Sequence, residues 1–308
     1  MKEIKHWSNV IIYTVICITL ILIILRILFY FINIELLSEN SLIFIMMKNR
    51  DLNFKSLYNL MDNGIIFYYQ EHPFTQDKAI YLYFWFFIFY PFYLMPMEVS
   101  MYIWDLLRLI STIFIIVKIR RITENERDIL YFYFFLSIGY FADMYLNNTN
   151  WLIQIFLFES YSQLKKEDKR LSYILFALAS FKITIIAFPI ILLIIKKIKI
   201  KEMINFYIPI ALISIPYIVF PNYLLQIISN WSESGYSSSS FILFDVFFKI
   251  WPLIQMPHLM FISIIALIVL VNIKNEKLKK RLELLIYSGM LLIWVITWSL
   301  ILLLLPFL

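Results

Sequence analysis

Cysteine is all but missing from this sequence. Cys17 stands alone inside an apolar run, so neither an intramolecular disulfide nor a cysteine metal cluster can form. Histidine is nearly as scarce: His6, His72 and His258 are scattered and, with no cysteine set beside them, argue against a zinc site. Only 4 glycines and 10 prolines interrupt the chain, so built-in breaks are few and each proline is informative about where a helix bends. Charged residues make up only 16%, against about 25% in soluble domains, which excludes the soluble globular class. No internal repeat is evident, whereas many transporters are built from repeated halves.

What fills the chain is apolar and aromatic, at 62% and 19% of residues. The class this defines is an all-α, polytopic membrane protein, a single transmembrane domain over residues 1–308. The formal net charge of +6 sits mostly in short basic loops, so it is read as topology and lipid headgroup contact, with no nucleic-acid partner. The abundance of Ile and Lys suggests an AT-rich genome, and a prokaryotic plasma membrane is the expected location.

Val10 to Phe31 is the first crossing, too long for a signal-peptide core; Arg26 near its far end is expected to snorkel to the interface. A long first outer loop follows over 34–78. Within it Leu52, Phe54, Leu57, Tyr58 and Met61 recur at helical spacing, the pattern of an interfacial helix. Ala79 to Pro96 is aromatic and broken by Pro91 and Pro96, and its rings are expected to face lipid. Met101 to Val117 carries Asp105 and Arg108 on one helix face, where they can neutralise each other. Ile129 to Leu146 and the short Trp151 to Tyr161 come next.

Leu171 to Ile195 has basic clusters at both ends and only Lys182 inside. Either it re-enters as two half-helices bending near Phe181-Lys182, or one loop violates the positive-inside rule. Met203 to Ile228, kinked by three prolines, leads to a second polar loop at 229–240. His258 to Ile273 and Leu282 to Leu305 form the last helices, giving roughly eight to ten membrane segments at ~20 residues each.

Several motifs, taken in order, resemble a known family. Asp51-Leu52-Asn53-Phe54 is followed by Leu60 to Tyr68, then by Tyr81-Leu82-Tyr83 and Tyr90-Pro91-Phe92-Tyr93-Leu94-Met95-Pro96, then by Ile103-Trp104-Asp105. Asn147-Asn148-Thr149-Asn150 keeps the last residue of a Gly-Gln-x-Asn element, and Lys182 precedes Pro189 and Lys196-Lys197. Over about the first two-thirds of the chain these resemble the GT-C superfamily, and most closely the polyprenyl-phosphate-mannose-dependent mannosyltransferases of glycosyltransferase family 87. The resemblance implies a hexosyltransferase that moves a sugar, with mannose expected, from a polyprenyl-phosphate donor to a lipid-linked or cell-envelope acceptor, without a metal or other cofactor. Its partners would be that donor, a lipid or glycan acceptor and membrane lipids. A polytopic lipid or solute transporter, or a catalytically inactive assembly subunit of GT-C type, stands as the alternative.

Transfer to a hydroxyl needs a base at the membrane surface. Asp51 fits by position, with a helix N-cap as its structural alternative; Asp62 is the rival acid, with a turn as its alternative. Charge building on the leaving phosphate calls for a cation. Lys182 is the foremost candidate and Arg108 the weaker, since Asp105 already accounts for it. His72 can hydrogen-bond phosphate or sugar, and Asn148 and Asn150 complete the expected substrate ligands.

Overall fold

The computed structural model describes residues 2–32, 50–62, 81–120, 140–182 apart from 142, 165, 167 and 168, then 185, 188–194 and 197–233, with 47 and 69 as single positions. His72, His258, most of the 129–146 segment, the polar loop beyond 233 and the two last helices lie outside the described residues.

The described chain is helical. Its helices are α1 (Lys2–Phe31), α2 (Leu52–Met61), α3 (Trp85–Tyr93), α4 (Met97–Arg120), α5 (Asn150–Gln163), α6 (Arg170–Ala179), α7 (Phe188–Ile194), α8 (Ile200–Ile213), α9 (Pro216–Val219) and α10 (Pro221–Glu233). The one β feature among these residues is an isolated antiparallel bridge between Tyr81 and Lys182. Among the described residues two stretches, Asn9–Phe31 and Met97–Lys118, are long and apolar enough to cross a membrane. Ile200, Ile204, Ile208 and Leu212 repeat every fourth residue along α8 and are all exposed, while Phe206 and Ile210 on the other side are buried. An exposed stripe of that kind on a helix suits lipid as its solvent.

Helices α1 and α4 pack together, α4 packs on α5, and α5 lies against α6. Trp104, fully buried on α4, knits the layers together. Its ring meets Phe54 of α2, Trp85, Phe89 and Phe92 of α3, and Trp151 of α5, with centroids 4.8–6.2 Å apart. Edge-to-face pairs of this sort contribute about 0.5–1.5 kcal/mol each beyond their buried area. The lipid-facing expectation for the aromatic segment therefore holds for Phe87 and Tyr90, which are exposed, and fails for Trp85 and Phe89, which are buried. Bulky rings fill the space between helices that have little else large enough to close it.

The 171–195 segment doubles back. Lys169, ahead of α6, is ion-paired with Glu202 in the first turn of α8, so the two basic loops share one end of the molecule. Tyr173 packs on Phe206, and Phe176 on Phe206 and Tyr207, so α6 and α8 run side by side in the same direction. The chain must return between them, and it turns at Ser180 to Lys182, where helix gives way to the Tyr81 bridge. The chain makes the return that the re-entrant alternative requires, with Lys182 at the turn.

Glu202 also accepts the Lys199 backbone N–H at 2.8 Å, closing the N-terminus of α8. The bond from Lys169 holds the Glu202 carboxyl below the ordinary glutamate value, so its contribution is present above that value and lost as pH falls through the lowered one. Both side chains are partly exposed, and Glu202→Gln is expected to cost no more than about 1 kcal/mol, read as a small drop in melting temperature that disappears in acid.

Candidate active site

Asp51 ends the turn into α2 and is one of two described non-glycine residues with positive φ, at 61°; the other is Asn147, at 55°. Left-handed backbone suits Asp and Asn better than other side chains, and here the two residues face each other. Asn147 Nδ2 donates to Asp51 Oδ1 at 3.0 Å. The junction is a meeting of helix ends. The N–H groups of Asp51 and Asn53 donate to the carbonyls of Tyr145 and Leu146, and Arg50 Nη1 donates to Met144 and Tyr145 O at 2.6 and 2.7 Å. A guanidinium thus satisfies carbonyls that a helix ending at 145 leaves open.

Asp51 occupies the N-cap position of α2 but makes no side-chain cap bond, so the capping alternative does not account for it. Its carboxylate turns inward to Arg26, which donates from Nε at 2.8 Å and from Nη2 at 2.7 Å. Arg26 does not snorkel. It is 9% exposed, because a paired fork inside the bundle loses less than a long side chain stretched to the surface. Arg50 Nη1 stands 3.0 Å from Asp51 Oδ1 as a further ion pair. Among the described residues Oδ2 receives one hydrogen bond, from Arg26 Nε, which leaves one lone pair open to a further donor. Asp51 is 1% exposed in this state.

The predicted Asp105–Arg108 pair forms, within a larger network. Arg26 Nη2 lies 2.6 Å from Asp105 Oδ2, close in charge but without hydrogen-bond alignment. Arg108 also donates from Nε to Asp143 Oδ2 at 2.9 Å, and from Nη2 to Asn147 Oδ1 and Asn148 O at 2.8 and 3.0 Å. Asn147 therefore joins the Asp51 half of the network to the Arg108 half. Breaking a buried ion pair on one side costs about 3–5 kcal/mol. Asp105→Asn is accordingly expected to lower the melting temperature clearly, and the charge-balanced double variant Arg26→Gln/Asp105→Asn to recover much of that loss.

Lys182 stands apart from these pairs. Its Nζ donates to Asn150 Oδ1 at 2.7 Å and to Asn148 Oδ1 at 3.2 Å, and lies over the Tyr81 ring at 5.6 Å. Among the described residues it makes no carboxylate ion pair, although Asp143 attracts it from farther off, and two of its three N–H donors are engaged. The side chain is partly exposed and sits at the N-terminal end of α5, where the Asn150 N–H donates to the Asp143 carboxylate and the Leu152 N–H to Thr149 O. Among the described residues the wider cluster holds Arg26, Arg50, Lys55, Arg108 and Lys182 against Asp51, Asp105 and Asp143, an excess of two positive charges.

The structure thus brings Asp51, Arg108, Asn148, Asn150 and Lys182 into one connected region. Asp62 is not part of it. It is exposed at the far end of α2, accepting from Tyr93 Oη at 2.7 Å. Arg26, Arg50, Asp143 and Asn147 are members that the sequence reading did not assign to the site. The available signal was charge inside apolar runs: Arg26, Asp105, Arg108 and Asp143 balance, and intramembrane charges usually pair with one another.

A lipid-facing helical bundle with a buried carboxylate and a partly exposed lysine in the same polar network defines an all-α membrane protein with a polar site inside the bundle. The model of glycosyltransferase family 87 matches residues 80–306, more than half of the chain, and the chain belongs to that family. It is a membrane glycosyltransferase. No curated protein and no solved structure matches it. The matched range begins after Asp51 and runs almost to the C-terminus, so it differs from the first two-thirds of the chain over which the motifs fall. Asp105, Arg108, Asp143, the Asn147 to Asn150 element and Lys182 lie within it, whereas Arg26, Arg50, Asp51 and Asp62 do not.

Proposed function

We propose that the chain transfers a hexose, with mannose as the expected sugar, from a polyprenyl-phosphate donor to a hydroxyl of a lipid-linked or cell-envelope acceptor, as a multi-pass protein of the plasma membrane. The observation that carries this reading is Lys182: a partly exposed cation with no carboxylate partner among the described residues, held by two amide oxygens at a helix N-terminus and joined through Asn148 and Asn147 to the Asp51 carboxylate.

In this reading the acceptor oxygen attacks the sugar C1 and its proton passes to the open lone pair of Asp51 Oδ2. The bond from C1 to the phosphate oxygen breaks, and its electron pair leaves with polyprenyl phosphate. Going from a phosphodiester to a monoester raises the negative charge on the leaving group. In this reading Lys182 stabilises that charge, and the positive excess among the described residues of the cluster favours it. Asn148 and Asn150 orient Lys182, and Arg108 fixes Asn147 and the Asn148 backbone.

The reading is tested by offering the purified chain radiolabelled mannose on polyprenyl phosphate or on a nucleotide, with membrane lipid extract as acceptor. Label is expected to move from the lipid donor alone. Transfer from the nucleotide sugar in preference would replace the donor class.

A further inference from the structure

We propose that Arg26, assisted by Arg50, binds an oxygen of a lipid-borne phosphate at a position separate from Lys182. A guanidinium has two edges. The Nε–Nη2 edge of Arg26 is spent on Asp51, whereas on the other edge Nη2 faces Asp105 and Nη1 is buried with no hydrogen-bond partner among the described residues. Arg50 repeats the pattern. Its Nη1 and Nη2 hold carbonyls of residues 144, 145 and 22, and its Nε is buried without a hydrogen-bond partner among the described residues. Buried N–H donors of charged groups are rarely left open, and two on guanidiniums that flank the same carboxylate call for an acceptor oxygen.

The surroundings say what carries that oxygen. Arg26 lies within the apolar stretch Asn9–Phe31 and faces inward, while Ile24, Ile27 and Leu28 on the other sides of the same helix are exposed. The Tyr102 ring covers its guanidinium at 5.0 Å and is itself 39% exposed, with exposed Leu106 one turn further along α4. The guanidinium thus lies one side chain beneath an apolar surface, and an anion arriving there comes attached to hydrocarbon. Planar guanidiniums match phosphate oxygens well, and the cluster's positive excess tolerates the added charge. The identity of the hydrocarbon as a polyprenyl chain rests on the donor reading above; a bilayer phospholipid is the other source of the same chemistry.

Binding is measured on the full chain in detergent, by native mass spectrometry, with a long-chain prenyl phosphate and separately with phosphatidylglycerol. The wild type is expected to bind prenyl phosphate. Compared in the Lys182→Met background, which removes the position assigned to the donor phosphate, Arg26→Gln/Asp105→Asn, which keeps the charge balance, is expected to weaken binding at least about tenfold, the loss typical of a charged hydrogen bond. Tyr102→Ala is expected to retain binding and speed exchange. Should the double variant not fold, Arg26→Lys serves instead: one ammonium held between Asp51 and Asp105 has no open edge, and the same weakening is expected. Undiminished affinity in the folded variant overturns the proposal and leaves the donor reading intact. Preference for phosphatidylglycerol, weakened equally by the Arg26 changes, upholds the phosphate position and assigns it to bilayer lipid. Failure of the wild type to bind either lipid overturns both.

Discussion

Asp51→Asn is expected to reduce sugar transfer by about 10²–10⁴-fold, the usual contribution of a positioned general base. The substitution preserves shape and leaves one side-chain oxygen to meet Arg26, but the amide cannot take the acceptor's proton. It also removes the anion between Arg26 and Arg50, which stand against it at 2.7 and 3.0 Å. A buried cation left unpaired is costly, so loss of activity alone is ambiguous. Melting and monodispersity are therefore measured together with transfer, and Arg26→Gln/Asp51→Asn, which restores the balance, serves as the folded control. Activity of Asp51→Asn within a few-fold of wild type would take the base role from Asp51. Asp62→Asn is expected to be nearly silent, because its carboxylate is exposed and bonded to Tyr93 at the opposite end of α2.

Lys182→Met is expected to raise the donor KM by roughly 10- to 100-fold, the range for losing one hydrogen bond to a charged group. Methionine keeps the length and apolar stem of the side chain, so packing against Tyr81 persists while the cation goes. Stability is expected to change little or to rise, since the ammonium has no carboxylate partner to strand among the described residues. That separates it from the Arg and Asp changes, where charge loss and unfolding travel together. A snorkelling lysine with no part in binding would leave the donor KM where it was.

Local pattern made several of these features legible. The i, i+3 spacing of Asp105 and Arg108 places them on one face whatever the fold, and the apolar spacing from Leu52 to Met61 gives α2 directly. Basic clusters at both ends of 171–195 raised the re-entrant turn as one of two possibilities, and the Lys169–Glu202 pair confirms that the chain returns. What stayed hidden depends on contacts far apart in the chain. Arg26 meets Asp51 across 25 positions, and Arg108 meets Asp143 across 35. No periodicity encodes such distances, so Arg26 read as a snorkelling side chain. Asn147 was passed over beside Asn148 and Asn150 because only its left-handed backbone turns its amide toward Asp51, and φ is not visible in residue type. Trp85 and Phe89 were read as lipid-facing because an aromatic helix in a bilayer looks alike whether its rings meet lipid or Trp104.

The most direct test of a transferase centred on Asp51 and Lys182 is the balance of products in a single reaction. Purified wild-type chain is given polyprenyl-phosphate mannose and an acceptor lipid extract, and released polyprenyl phosphate is quantified against glycosylated product. The account predicts that the two appear mole for mole, that neither appears without acceptor, and that both fall together in Asp51→Asn and Lys182→Met. Donor that crosses a vesicle membrane intact, with no glycosylated product formed, would contradict it.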